Sequence, residues 1–343
     1  MSRIEKRKIQ KNSNWFDFEW FIDGNSFSEI LKEKKSVDLP KGIAPFNDLC
    51  PAWTKKLNYY GDVRFVWNLL YSEERTPVPV YLCPDDLDFS CIVIVVEVEK
   101  TKDFVYWNKA GYVNIKDYSF DEEKHCGILC IENYSDSDWE KYGDNIALET
   151  ADSEEWKNWI GKNWDEELYR RRINYTLKKY KNDDNILWFA DLDFSFDRNE
   201  YEAMLNDYWN EETLSVLDKP NRNKIDFNGC VNLIKSLCRN GQRKLDEHIE
   251  YYGKVLLHVY AADEIGEPLF ELLENAKEDI RINILSKAVE VMWRYGDDET
   301  RNVVEVTLLE RLSDNENVWN RFGNYISEDF KNYIRRIEKK LKG

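Results

Sequence analysis

The residues with the clearest chemical potential lie in one run, ILWFADLDFSF from Ile186 to Phe196, where an apolar stretch ends in DxDxS. Two carboxylates at that spacing, Asp191 and Asp193, are candidates for acid/base or metal-assisted chemistry. The same residues have a plainer explanation. Asp191, Asp193 and Asp197 alternate with Leu192, Phe194 and Phe196, as an amphipathic strand requires without any catalysis. The expectation is therefore that the chain is not an enzyme, with a metal-dependent phosphatase as the alternative.

Other catalytic patterns are missing. His125, His248 and His258 are too separated for a triad or a metal cluster, and HExxH, GxSxG, GxGxxG and the GxxxxGK[ST] phosphate loop do not occur. Cys83 and Cys91 bracket the loop CPDDLDFSC, but a soft tetrahedral site would need Cys126 and Cys130 to fold over it, and the chain contains no CxxC. No metal and no cofactor is expected. The seven cysteines, an odd number without a dense framework, fit reduced thiols in a cytoplasmic protein.

What remains is acidic and aromatic surface. From Asn182 to Asp218 there are eleven Asp or Glu against Arg198 alone, a net of −10 within a chain of −17, interleaved with Trp188, Tyr201, Tyr208 and Trp209. Such a segment offers carboxylates to a basic protein while aromatic rings anchor the interface. The expected partner-binding residues are Asp191, Asp193, Asp197, Glu200, Asp207, Tyr208, Trp209, Glu211 and Glu212. An acidic chain is also a poor ligand for nucleic acid, whose binding draws on Lys and Arg releasing counterions. No apolar run approaches a membrane span, the longest being Ile92 to Val96, and the N-terminus lacks the apolar stretch of a signal peptide.

The elements that must position these residues indicate two domains in 343 residues, of which 42% are hydrophobic and 14% aromatic, a composition that excludes a disordered acidic chain. Residues 1–217 read as an α+β domain on a mostly antiparallel sheet. Its strands are expected at Trp15 to Trp20, Val78 to Cys83, Cys91 to Glu99, Asp103 to Trp107, Gly127 to Ile131 and Ile186 to Phe196. Helices are expected at Ser28 to Lys35, around Val63 to Leu70 and from Ser153 to Lys181, with a turn at Asp23-Gly24. Glu97 and Glu99 interrupt an apolar run, which places one face of that strand in water.

The stretch DKPNRNK, Asp218 to Lys224, reads as a linker, and residues 225–341 read as all-α. Ile284, Leu285, Ala288, Val289 and Met292 form one helical stripe, and Pro268 fits a first turn. A central helix spans about Glu299 to Leu312. Ser313 or Asp314, and Ser327, are expected N-caps, and Arg335, Arg336, Lys339, Lys340 and Lys342 suit the end of the last helix.

Three resemblances follow from these residues. GKVLLHVYAADEIGEPLFELLE and MWRYGDDETRNVVEVTLLERLSDNENVWNRFGNYISEDF, within Gly253 to Phe330, resemble a helical domain of bacterial polymorphic-toxin immunity proteins. VPVYLCPDDLDFSCIVIVVEVEKTKDFVYWNKAGY, Val78 to Tyr112, is similar to an uncharacterised bacterial domain with a CPxCxDxxC loop, from which the chain departs at Asp86 and Leu87. The DxDxS strand resembles that of haloacid-dehalogenase-like phosphatases, which implies Asp191 as nucleophile, Asp193 as acid/base and Gly296-Asp297-Asp298 as a downstream acidic motif for magnesium. The nucleophile strand of that family, however, opens a doubly wound domain. The first resemblance implies an immunity protein that binds a cognate, basic secreted toxin and occludes its active site. A general interaction module is the remaining reading.

Overall fold

The structure, a computed structural model, describes residues 1–8, 18–40, 45–85, 87–89, 91–114, 164–218, 224–275 and 278–341. The expected strand at Gly127 to Ile131, the first part of the Ser153 to Lys181 helix, His125, Cys126, Cys130 and linker residues 219–223 lie outside them. The chain forms two compact units, Met1–Met204 and Leu205–Gly343. Two antiparallel sheets characterise the first and helices the second, so the fold is α+β.

In the first unit, β1 (Ile4–Lys8), β2 (Phe18–Ile22) and β3 (Asn25–Ser26) make a three-stranded sheet. Asp23 and Gly24 join β2 to β3 with φ of 51° and 83°, the left-handed pair that a tight hairpin needs and that Asp and Gly tolerate best. Helix α1 (Phe27–Lys34) follows, then β4 (Cys50–Pro51) and α2 (Tyr60–Tyr71). β4, β5 (Thr76–Leu82), β6 (Val93–Lys100), β7 (Phe104–Val113) and β8 (Ile186–Asp197) lie side by side in that order, every pair antiparallel. β4 reaches only Tyr81 and Leu82 of its neighbour, so Pro77 and Pro79 sit where β5 has no ladder on that side to lose. Aromatic rings fill this core around Trp107, which meets Phe27 at 5.3 Å and Trp53 at 5.6 Å between ring centroids.

Two acids depart from the expected alternation. Glu19 on β2 is buried, accepting the Trp20 amide at 2.8 Å and the Tyr81 hydroxyl. Glu97 on β6 is buried as well, although its position in the run pointed to water. β7 carries an extra residue opposite it, and the resulting bulge brings both Asn108 (3.3 Å) and Lys109 (3.4 Å) onto the carboxylate, with Arg75 at 2.5 Å. A cross-strand neighbour thus neutralises what the local sequence shows as charge.

The segment after residue 163 forms α3 (Trp164–Arg171), a π turn (Arg172–Thr176) and α4 (Leu177–Lys181). Helix α5 (Arg198–Asp218) begins in the first unit and ends in the second.

The second unit continues with α6 (Phe227–Leu237), α7 (Gly241–Tyr252), α8 (Leu257–Ala261), α9 (Glu267–Glu274), α10 (Ile280–Tyr295), α11 (Asp298–Val303), α12 (Glu310–Ser313), α13 (Glu316–Phe322) and α14 (Glu328–Leu341). The stripe Ile284, Leu285, Ala288, Val289 and Met292 is buried on α10. Pro268 lies at the start of α9, but a π turn (Ala262–Gly266) joins that helix to α8, so the proline follows a widening of the helix rather than a fresh start. The helix expected over Glu299 to Leu312 likewise widens at Val304–Leu309, and Val306 is left 49% exposed. Asn315, not Ser313 or Asp314, caps α13, accepting the Asn317 amide at 3.0 Å. Ser327 does cap α14, accepting the Phe330 amide at 3.3 Å. Among the described residues no helix is long and apolar enough to cross a membrane.

Candidate functional site

β8 is the outermost strand of the five-stranded sheet among the described residues, which is why its acids reach the surface. Its register against β7 skips one residue between Asp191 and Phe194, and Asp193 takes up the slack at φ 55°. Asp is one of the few non-glycine residues that tolerates that left-handed conformation. The bulge leaves both Asp191 and Asp193 exposed while Leu192 stays in the core. A second skip, between Trp188 and Ala190, packs the Trp188 ring over Gly111, where a Cβ would stand 2.7 Å from the indole.

The strand's outer backbone is not left open as a pairing template. The Phe189 carbonyl accepts from the Ser36 amide (2.7 Å) and hydroxyl (2.8 Å), Ser195 from the Ser2 amide (2.7 Å), and Asp191 from the Lys34 ammonium (3.2 Å). β8 therefore offers side chains rather than main chain.

Asp197 closes the strand and opens α5. Its Oδ1 accepts the Glu200 amide at 3.0 Å, so this carboxylate is engaged as a helix cap. Arg198 binds Glu202 at 2.9 Å and Glu73 at 2.6 Å, raising its own pKa through those contacts. Glu200 remains exposed.

Farther along α5, Asp207 and Glu211 are exposed one turn apart. Tyr208, Trp209 and Glu212 are buried, at 3%, 6% and 2% exposure. These three were expected on the partner-binding surface, and the helix turns them the other way. Tyr201, Leu205, Tyr208 and Glu212 recur at four- and three-residue steps, so a helical stripe was present in the sequence. The structure thus exposes Asp191, Asp193 and Glu200 in the first unit and Asp207 and Glu211 in the second.

The phosphatase arrangement requires its DxD strand inside a parallel, doubly wound sheet, and β8 is an antiparallel edge strand. Asp297, the proposed distal metal ligand, caps α11 by accepting the Thr300 amide at 2.8 Å, which holds its carboxyl below the ordinary range. Gly296 is required there because a Cβ would stand 2.8 Å from the Thr300 methyl carbon. Among the described residues no group of three or more His, Cys, Asp or Glu is placed to hold a metal ion. Cys83 is buried and Cys91 exposed.

A separate titratable cluster clamps α2 to the α3–α4 segment. Arg172, on the π turn, donates to Asp62 Oδ1 at 2.8 Å and to Thr176 at 3.3 Å, and lies over the Phe89 ring at 5.0 Å. Asp62 is wholly buried, and its Oδ2 finds no hydrogen-bond partner among the described residues. Burial pushes the Asp62 carboxyl up, the Arg172 charge opposes that push, and Asp88 and Asp165 add to it. Burial works against the Arg172 charge, and the attraction and hydrogen bond of Asp62, with Tyr180 and Asp88 adding to them, more than offset it. Gly61 permits the approach of the two helices: a Cβ there would stand 2.6 Å from the Asp165 carbonyl oxygen.

With this geometry in place, comparison with known proteins adds one match. Residues 231–342 match a family model described as a domain of unknown function, DUF7674, and that description assigns it no activity. Neither the curated proteins nor the solved structures yield a match to the chain.

Proposed function

We propose that this protein is an immunity-type binding protein that captures a basic secreted toxin and occludes its active site, without performing chemistry itself. The supporting observation is the set of carboxylates held in water by a rigid frame: Asp191 and Asp193 at the β8 bulge and Glu200 at the start of α5. The first unit's sequence holds 40 Asp and Glu against 28 Lys and Arg, so it carries −12 of the chain's −17. A field of that sign steers a basic protein into encounter, and a preformed surface then blocks substrate access. The matching domain's description neither supports nor opposes this reading.

The test is association kinetics with a basic toxin domain encoded beside this protein's gene, at two salt concentrations. Replacing Asp191 and Asp193 by Asn, or Asp207 and Glu211 by Lys, is expected to slow association about five-fold or more at low salt and to flatten its salt dependence. Association that is salt-insensitive and indifferent to all four substitutions, or a toxin that remains fully active in the presence of this protein, removes the reading.

A further inference from the structure

The binding reading leaves the apolar anchor unaccounted for, since Tyr208 and Trp209 are buried. Charges speed encounter, but exposed carboxylates alone give little residence time, which comes from aromatic side chains that lose water on docking. A group of such side chains lies at the end of α7, within the stretch that matches the family model.

Tyr251 is 81% exposed, Tyr252 40% and Ile249 37%. The two tyrosine rings meet edge to face at 4.7 Å. Beneath them His248 contacts Tyr252 at 4.7 Å and Tyr260 at 5.2 Å between ring centroids. His248 is itself fixed, its Nε2 accepting the Leu256 amide at 3.1 Å. The Tyr252 ring therefore rests on an ordered base, and Tyr251 projects beyond it. Side chains ordered in advance cost less entropy to dock than flexible ones.

The surroundings set the chemistry of the occupant. α7 ends at Gly253 in the left-handed conformation, φ 72°, and no basic residue occupies the last turn. The carbonyl end of the helix is therefore negative, and Glu250 in that turn adds to it. Glu247 and Asp246 are also exposed, the former 3.6 Å from Arg243 and the latter accepting from Gln242 at 3.0 Å. Lys254, two residues past the tyrosines, is the opposing charge. A negative helix end beside two π faces fits a cation with a flat or aliphatic body.

Resting on the binding reading, we infer that the Tyr251–Tyr252 surface docks an arginine-bearing segment of the basic protein partner, with the guanidinium packed on the exposed Tyr251 ring at the negative, Glu250-bearing end of α7. This site supplies the aromatic anchor.

The probe is a short arginine-rich peptide titrated into the full chain, with a citrulline peptide of equal length as the uncharged control. Tyr251→Ala combined with Tyr252→Ala, and separately Glu250→Gln, are expected to weaken binding about ten-fold or more, with Asp191→Asn/Asp193→Asn changing it about two-fold or less. Circular dichroism establishes that each variant is folded, and the exposed Glu250 and Tyr251→Phe provide milder changes if the double variant is not. Binding lost only in the β8 variant overturns the α7 site and leaves the basic-partner reading standing. Equal binding of the citrulline peptide also overturns the site, because no cation is then recognised. A chain that binds neither the peptide nor any basic protein overturns the reading and the inference together.

Discussion

The buried pair of Asp62 and Arg172 gives the most quantitative expectation for the first unit. Asp62 has no exposed side-chain surface, while the Arg172 side chain keeps 21% of its own. Deleting either partner strands a charge, at a cost of about 3–5 kcal/mol for a buried pair. Asp62→Ala belongs at the lower end of that range, because the Arg172 side chain keeps part of its surface in water and retains Thr176 and the Phe89 face. Arg172→Leu belongs at the upper end at neutral pH, because the buried carboxylate it strands has no other hydrogen-bonding side chain among the described residues. Asp62 can escape by taking up a proton. Its folded pKa is already raised by burial, and removing Arg172 takes away the main opposing influence. Between the unfolded and the folded pKa the folded state then holds the extra proton, so stability falls as pH rises through that window and returns as pH drops. Each pH unit inside that window is worth about 1.4 kcal/mol, so acidification through it restores stability to Arg172→Leu in that proportion. Asp62→Ala gains nothing by that route. Urea unfolding followed by tryptophan fluorescence is the suitable assay, since ten of the thirteen tryptophans precede residue 205. An Arg172→Leu protein no less stable than Asp62→Ala at neutral pH, or one whose deficit does not shrink on acidification, refutes the reasoning.

Trp209→Ala is expected to act on stability rather than as an interface truncation: emptying a ring that is 6% exposed costs about 3–5 kcal/mol, visible as a lower urea midpoint, and an unchanged midpoint would place the ring on the surface. For the phosphatase alternative, hydrolysis of a generic phosphate ester with added magnesium is expected to show no turnover in the native protein, and reproducible turnover lost in Asp191→Asn would establish the enzyme instead.

These expectations show where sequence was sufficient and where it was not. Elements whose logic is local were legible: the turn at Asp23-Gly24, the strands at Cys91 to Glu99 and Asp103 to Trp107, the apolar stripe on α10 and the Ser327 cap each follow from residues close together in the chain. Glu19 and Glu97 were not, because what engages them arrives from elsewhere in the chain: the Tyr81 hydroxyl in one case, Arg75, Asn108 and Lys109 in the other. A carboxylate's burial is a property of its tertiary neighbours, and no reading of its own strand reveals them.

The same distinction explains the candidate surface. On α5 the stripe Tyr201, Leu205, Tyr208 and Glu212 has helical spacing, but a glutamate at the fourth position and adjacent acids blur the contrast between its faces, so charge density there does not mark exposure. On α7 the contrast fails in the opposite sense. His248, Ile249, Tyr251 and Tyr252 look like the apolar close of a helix, yet only His248 is buried. An amphipathic helix that ends on two exposed tyrosines leaves apolar area in water that the fold does not use. In a chain of net charge −17, that is where the energetic centre of an interface belongs, because net charge governs how often a partner arrives and desolvated rings govern how long it stays.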